Sequence, residues 1–214
     1  MKTTNFWLIR HGETEWNASR KLQGWLDIPL SRKGIEQAER LSRYLRSDAF
    51  NVDIDAVVSS DLGRAYDTAV RATGHLSLLI ERHPTLRERN YGIYEGHDWT
   101  LLNGKDPKFP NVNFRDLHQP IENGESLAQF AERIARAFNE LARHHPGQNL
   151  MVFAHGGVID VVWRKANNVP FELPRPAPIL NTSINQFLID DTQQWREVHW
   201  GQVFHLDDAL DDVM

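Results

Sequence analysis

The chain has 214 residues, 41% of them apolar and 25% charged, a length near the upper end of one ordinary domain and a balance that speaks against a disordered chain. Its net charge of -5 argues against a nucleic-acid partner, since binding to a phosphate backbone shows as a basic excess, so any anion site has to be local. There is no cysteine, which excludes disulfides, thiolate nucleophiles and thiolate-held clusters. The first apolar run is too short for a signal-peptide core or a membrane span, so a cytoplasmic location without membrane contact is the expectation.

In chain order, Phe6-Trp7-Leu8-Ile9 predicts a buried strand that stops at Arg10-His11-Gly12, the kind of sheet edge where open α/β folds keep their ligand sites. For an arbitrary Arg-His pair, exposure at a strand end would be explanation enough. Trp25 to Leu30, with Asp27 and Pro29, reads as a loop. Ser31 is an N-cap type residue, and Ile35, Ala38, Leu41 and Leu45 follow on one helical face. Ile54 to Val58 is a second apolar run. After it, Ser59, Ser60 and Asp61 offer caps for a helix marked by Leu62, Tyr66, Ala69 and Val70. Arg64 then falls in a first helical turn, where the dipole disfavours a cation; a bound anion reconciles the two, and a solvated arginine is the ordinary alternative.

The stretch from Gly92 to Gly124 has no sustained periodicity and scatters Trp99, Phe109 and Phe114 among Lys105, Lys108, Arg115 and His118. It reads as an excursion over a site, with a disordered surface insertion as the alternative. Ser126 to Gln129 forms a capping box for a helix carrying Leu127, Phe130, Ile134, Phe138 and Leu141, which ends near His144 and His145. The dipole accounts for those two histidines without a metal.

Asn149 to Ala154, followed by His155-Gly156-Gly157, repeats the opening design and leads into a helix expected over Val158 to Lys165. Two parallel strands ending in His-Gly would bring their imidazoles to one sheet edge, whereas an isolated histidine there would be a satisfied core residue. Pro170 to Pro178 reads as a loop. Asn181-Thr182-Ser183 leads into a strand ending at Ile189, with Trp195 to Trp200 as its hairpin partner, and Asp207, Asp208, Asp211 and Asp212 form a solvated acidic end. Alternating apolar runs and amphipathic helices favour an α/β fold in a single domain over residues 1–214.

Arg10-His11-Gly12-Glu13-Thr14 with Trp16-Asn17 resembles the signature of the histidine phosphatase superfamily, which includes the phosphoglycerate mutases. Ser60-Asp61-Leu62-Gly63-Arg64-Ala65-Tyr66-Asp67-Thr68-Ala69 is similar to its Ser-x-x-x-Arg-Ala-x-x-Thr-Ala stretch, and Leu86 to Gly96 to its Leu-x-Glu-x-x-x-Gly-x-x-Glu-Gly stretch. The resemblance runs from Leu8 to Ser183. It implies a three-layer α/β/α sandwich with a mostly parallel central sheet and chemistry that needs no metal or organic cofactor. It also implies His11 as nucleophile, Glu88 as proton donor and acceptor, Arg10, Arg64 and His155 around the phosphoryl group, and substrate contacts at Asn17, Gln23, Gly24 and Gly156.

The chemistry of these residue types agrees. A neutral imidazole nitrogen attacks phosphorus, cations stabilise the charge on the transferring group, and the same cations keep the imidazole unprotonated. Glu88 is harder: a carboxyl with a reference pKa of about 4.3 is a poor acid near neutrality, and Arg87 and Arg89 flank it. If the segment is extended, both arginines point away and burial raises the pKa; a surface strand is the alternative.

Phosphomonoester hydrolysis of a small phosphorylated metabolite is the favoured activity, because the excursion lacks the Arg-Arg pair of cofactor-dependent mutases and Gln23 stands where they commonly have Thr. Phosphoglycerate mutase activity is the first alternative, and an inactive binding module of the same fold the second. The physiological substrate is left open, as is the oligomeric state, a homodimer included.

Overall fold

Side chains alternate across a strand, so a continuous apolar run can be satisfied only if both faces of its sheet are covered. The computed structural model of the chain, which describes residues 2–102, 108–109, 112–175 and 178–206, has that arrangement. Strands β1 (Thr3–Arg10), β2 (Ala56–Ser60), β3 (Ile80–His83), β4 (Asn149–Ala154), β5 (Ile184–Asp190) and β6 (Trp195–Gln202) form one sheet in the order β3-β2-β4-β1-β5-β6. The pairs β2·β3, β2·β4 and β1·β4 are parallel, and β5 runs antiparallel to both of its neighbours.

The helices are α1 (Glu15–Ala18), α2 (Arg32–Leu45), α3 (Gly63–Thr73), α4 (Trp99–Leu102), α5 (Leu127–His144) and α6 (Gly156–Asn167). On one face Phe6 and Leu8 of β1, with Leu150 and Val152 of β4, pack with Phe130, Ile134 and Phe138 of α5 and Val158 and Val162 of α6. On the other, Trp7, Ile9, Met151 and Phe153 pack with Leu41 of α2 and Ala69 and Ala72 of α3. The result is the three-layer sandwich, with the odd and even residues of each central strand divided between two cores. Each fully buried Phe or Leu contributes roughly 2 kcal/mol, which fixes strand register because a one-residue slip would exchange the two sets.

The capping signals are realised at α2, where Ser31 Oγ accepts from Gly34 N (3.1 Å), and at α5, where Ser126 and Gln129 close the box. They are not realised at α3. Its N-cap is Leu62, without a side-chain bond; Gly63 N instead donates to Asp27 Oδ1 of the loop between α1 and α2 (2.8 Å), and Ser60 Oγ accepts from Leu62 N (3.4 Å), ahead of the first turn. Helix α6 begins two residues earlier than expected, so its first turn starts directly after His155.

The described part of the 92–124 excursion is packed. Val112, Phe114 and Ile121 form a third apolar cluster with Leu22 and Leu102, flanked by Tyr91, Tyr94, Trp99 and Phe109. Lys105 and the acidic end from Asp207 onward lie outside the described residues.

Candidate active site

Strands β1 and β4 are parallel neighbours in the register Arg10↔Ala154, so the next residue of each, His11 and His155, leaves the sheet at the same edge. Their ring centroids lie 5.2 Å apart at an interplanar angle of 60°. Strand β2, paired with β4 on its other side, ends in Ser60, whose Oγ lies 2.8 Å from His155 Nε2. Helix α3 follows and delivers Arg64 to the same carboxyl-terminal edge.

His11 Nδ1 lies 2.7 Å from Gly12 O. A carbonyl only accepts, so Nδ1 carries the proton and Nε2 keeps its lone pair. Burial first, then the charges of Arg64 and Arg10, hold the His11 pKa well below the ordinary 6.5, and burial with the same arginines does likewise for His155. His11 is therefore a neutral base at neutral pH. Arg64, fully enclosed at 0% exposure, donates from Nη2 to Gly24 O (2.7 Å) and from Nη1 to Leu26 O (2.8 Å). Burial lowers its pKa to about 10, which leaves it a cation at neutral pH. Arg10 Nη1 donates to Ile179 O at 2.6 Å.

Glu88 sits opposite these cations. Its Oε1 accepts from Arg89 N (2.7 Å) and its Oε2 from Gly157 N (2.9 Å) in the first turn of α6. A Cβ on residue 157 would lie 2.2 Å from Glu88 Oε1, so the carboxyl occupies space that only glycine leaves. Both flanking arginines turn away: Arg87 forms a two-pronged pair with Asp61, and Arg89 donates to Glu125 O and Phe114 O. With those charges diverted, desolvation prevails over two amide bonds and the more distant Arg64 and Arg10, and the Glu88 pKa is raised. Arg133 of α5 pins this segment by donating to Thr85 O, Arg87 O and Glu88 O.

Of the site residues expected from the sequence, Arg10, His11, Arg64 and Glu88 line one cleft, and so do Asn17, Gln23, Gly24 and Gly156. His155 is enclosed behind them. The side chain of Asn17 is committed in part to the α1 capping box, where its Oδ1 accepts from Thr14 N at 2.9 Å. The cleft also takes Lys21, Leu22 and Tyr91, which sequence reasoning did not single out, and Trp99 from the excursion that was read as lying over a site. Equally unforeseen were the struts of the His11 loop: Thr68 Oγ1 accepts from Gly12 N (3.0 Å), and Asn181 Nδ2 donates to His11 O (3.0 Å). Among the described residues no group of three or more His, Asp or Glu has metal-binding geometry, and no helix is long and apolar enough to cross a membrane.

This six-stranded mixed sheet with helices on both faces is a phosphoglycerate mutase-like fold. The chain belongs to the histidine phosphatase superfamily (branch 1), whose family model matches residues 6–203. It is 35% identical to phosphoglycerate mutase-like protein 4 of Arabidopsis thaliana, over 94% of this chain and 86% of that protein. It is 34% identical to a metal-independent phosphoserine phosphatase of the same plant, over 96% and 84%. Among solved structures it superposes on Bacillus stearothermophilus YhfR with a TM-score of 0.82 at 29% identity, covering 94% of this chain and 98% of that one.

Proposed function

We propose that this chain hydrolyses a phosphomonoester of a small metabolite through a phosphohistidine on His11. The observation that carries the reading is the meeting, in one cleft, of an unprotonated His11 Nε2, two guanidinium groups and a carboxyl whose pKa is raised. Nε2 attacks phosphorus and the bond to the leaving oxygen breaks as Glu88 gives that oxygen its proton. Glu88, now a carboxylate, takes a proton from the water that attacks the phosphohistidine; the phosphorus-nitrogen bond breaks, phosphate leaves and both residues return to their starting states. Arg10 and Arg64 stabilise the equatorial oxygens throughout. If the Ser60 hydroxyl donates to His155 Nε2, the other ring nitrogen, Nδ1, carries the proton and can bond the phosphoryl group.

Residues 1–214 act as one unit in this reading, with the 92–124 excursion forming a substrate-facing wall through Trp99 beside Tyr91. The relative that is a phosphoserine phosphatase supports a small phosphorylated metabolite as substrate. Asn17, Gln23, Gly24 and Gly156 would contact it, with Lys21 as a further cation at the mouth.

The test is phosphate release from an aryl phosphate in the presence of a chelator, with trapping of an acid-labile, base-stable phosphoenzyme. Release and trapping in the parent but not in His11→Ala are expected; full activity of His11→Ala would reject the mechanism, and loss on chelation would reject metal-free chemistry. Transfer between 2- and 3-phosphoglycerate with little phosphate release would assign a mutase instead.

A further inference from the structure

Arg64 takes its orientation from two backbone carbonyls, Gly24 O and Leu26 O, which belong to an irregular turn between α1 and α2. A guanidinium held by a loop is only as well placed as the loop. The turn is held by a carboxylate from outside it. Glu95 Oε1 accepts from Trp25 N (2.9 Å) and Tyr91 N (3.1 Å), and Oε2 accepts from Leu26 N (3.2 Å). One side chain thus ties the turn that holds Arg64 to the segment that carries Tyr91 and, three residues before it, Glu88.

The fit is close. Gly24 has φ +51°, and a Cβ there would lie 1.9 Å from Glu95 Oε1, so the turn and the carboxylate share this space only because residue 24 has no side chain. Glu95 does not line the cleft, yet its charge is felt at Arg64, where it joins Glu88 and Asp27 in offsetting the burial of the guanidinium.

We propose that Glu95 is a positioning residue for phosphoryl transfer: by fixing the amides of Trp25 and Leu26 it sets the Gly24 and Leu26 carbonyls that orient Arg64 in the cleft. The inference rests on the reading of Arg64 as a phosphoryl ligand. A merely structural Glu95 would lower stability without singling out phosphate binding, whereas a positioning Glu95 acts through Arg64 and loses its effect when Arg64 is absent.

The experiment is a double-mutant cycle of Glu95→Ala and Arg64→Ala, read as the inhibition constant of inorganic phosphate against an aryl phosphate, with melting temperatures alongside. Losing a well-aligned hydrogen bond to a charged group weakens binding by roughly ten- to a hundredfold, so Glu95→Ala, by misplacing Arg64, is expected to weaken phosphate by about that factor. In the Arg64→Ala background the same substitution is expected to change phosphate affinity by no more than about twofold. Glu95→Gln keeps one acceptor oxygen and should fall between the parent and Glu95→Ala; if the alanine variant does not fold, the cycle is run with glutamine. Losses that multiply in the double variant, or Glu95 variants that bind phosphate as the parent does, overturn the proposal. Arg64→Ala with parental phosphate affinity would instead remove the reading of the cleft beneath it.

Discussion

His11 and His155 face each other across 5.2 Å because Arg10 and Ala154 are paired neighbours on parallel strands. Two imidazoles at that separation, enclosed with two arginines, cannot both hold a proton cheaply, and the charge of His11 is one of the causes that depress His155. The sheet register therefore sets a protonation state as well as a distance. Burial first, and then the charges of Arg64 and Arg10, keep His11 Nε2 unprotonated, and in the proposed mechanism those two charges also receive the phosphoryl oxygens.

The first expected outcome is the pH profile. Activity needs His11 neutral and Glu88 protonated, so kcat/KM should fall on the acid side as His11 takes a proton, below pH 6.5, and on the alkaline side as Glu88 loses one, above the ordinary glutamate range. The two shifts run toward each other, the imidazole down from 6.5 and the carboxyl up from 4.5, which is the sense that opens this window: without them the acid would be spent before the base was free. Steady-state rates of the parent and Glu88→Gln check it, the variant being slower and lacking the alkaline limb. An unchanged alkaline limb in the variant would assign that ionisation to another group.

Much of this site was legible in the sequence because its members sit at ends of elements. The apolar run before Arg10-His11 and its echo before His155 announced two buried strands, and burial on both faces is what makes such runs continuous. Arg64 was visible as a cation at the wrong end of a helix. Ser60 was read as part of a cap signal, and its Oγ does accept from Leu62 N, but its bond to His155 spans 95 positions and leaves no local trace. Thr68, Asn181 and Glu95 were named without a role for the same reason: each acts on backbone brought near by the tertiary fold. For Arg87-Glu88-Arg89 two readings stood open, and the arginines do turn away from Glu88, but their partners, Asp61 and the carbonyls of Glu125 and Phe114, lie in distant segments.

Ser60→Ala removes the partner of His155 Nε2 in a fully enclosed setting. A buried polar atom left without its bond costs about 1–3 kcal/mol, so the melting temperature should drop. With the tautomer of His155 no longer fixed, kcat should fall about tenfold, the equivalent of one net hydrogen bond. Thermal denaturation and kcat measured together test this, and a variant with parental kcat would show that Ser60 does not act through His155.

Gly157→Ala separates catalysis from stability. The added Cβ would lie 2.2 Å from Glu88 Oε1 and 3.2 Å from Phe130 Cε1, so the carboxyl has to move. Alanine also restricts the unfolded chain more than glycine, which offsets part of the crowding in the first turn of α6. A loss of kcat of roughly a hundredfold with little change in melting temperature is expected. A variant of parental activity would mean that Glu88 does not work from the place it occupies here.

His205 makes stability itself depend on pH. Its Nε2 lies 3.1 Å from Thr182 Oγ1, and burial, opposed by a hydrogen bond with the Thr182 backbone and helped by Arg40, lowers its pKa to about 4. A histidine depressed in the folded state contributes stability that is complete above its unfolded value of about 6.5 and is lost as pH falls from there to the folded value. The contribution is at most about 3 kcal/mol, since each pKa unit is worth 1.36 kcal/mol. His11 and His155 are shifted in the same direction, so the parent should melt progressively lower between pH 6.5 and 4. His205→Gln keeps a hydrogen-bonding side chain that does not titrate, and it should flatten part of that slope while leaving phosphate release near neutrality unchanged. Melting curves of both proteins across this range decide the matter; an identical slope would place the acid sensitivity in the other depressed imidazoles, His11, His155 and His75.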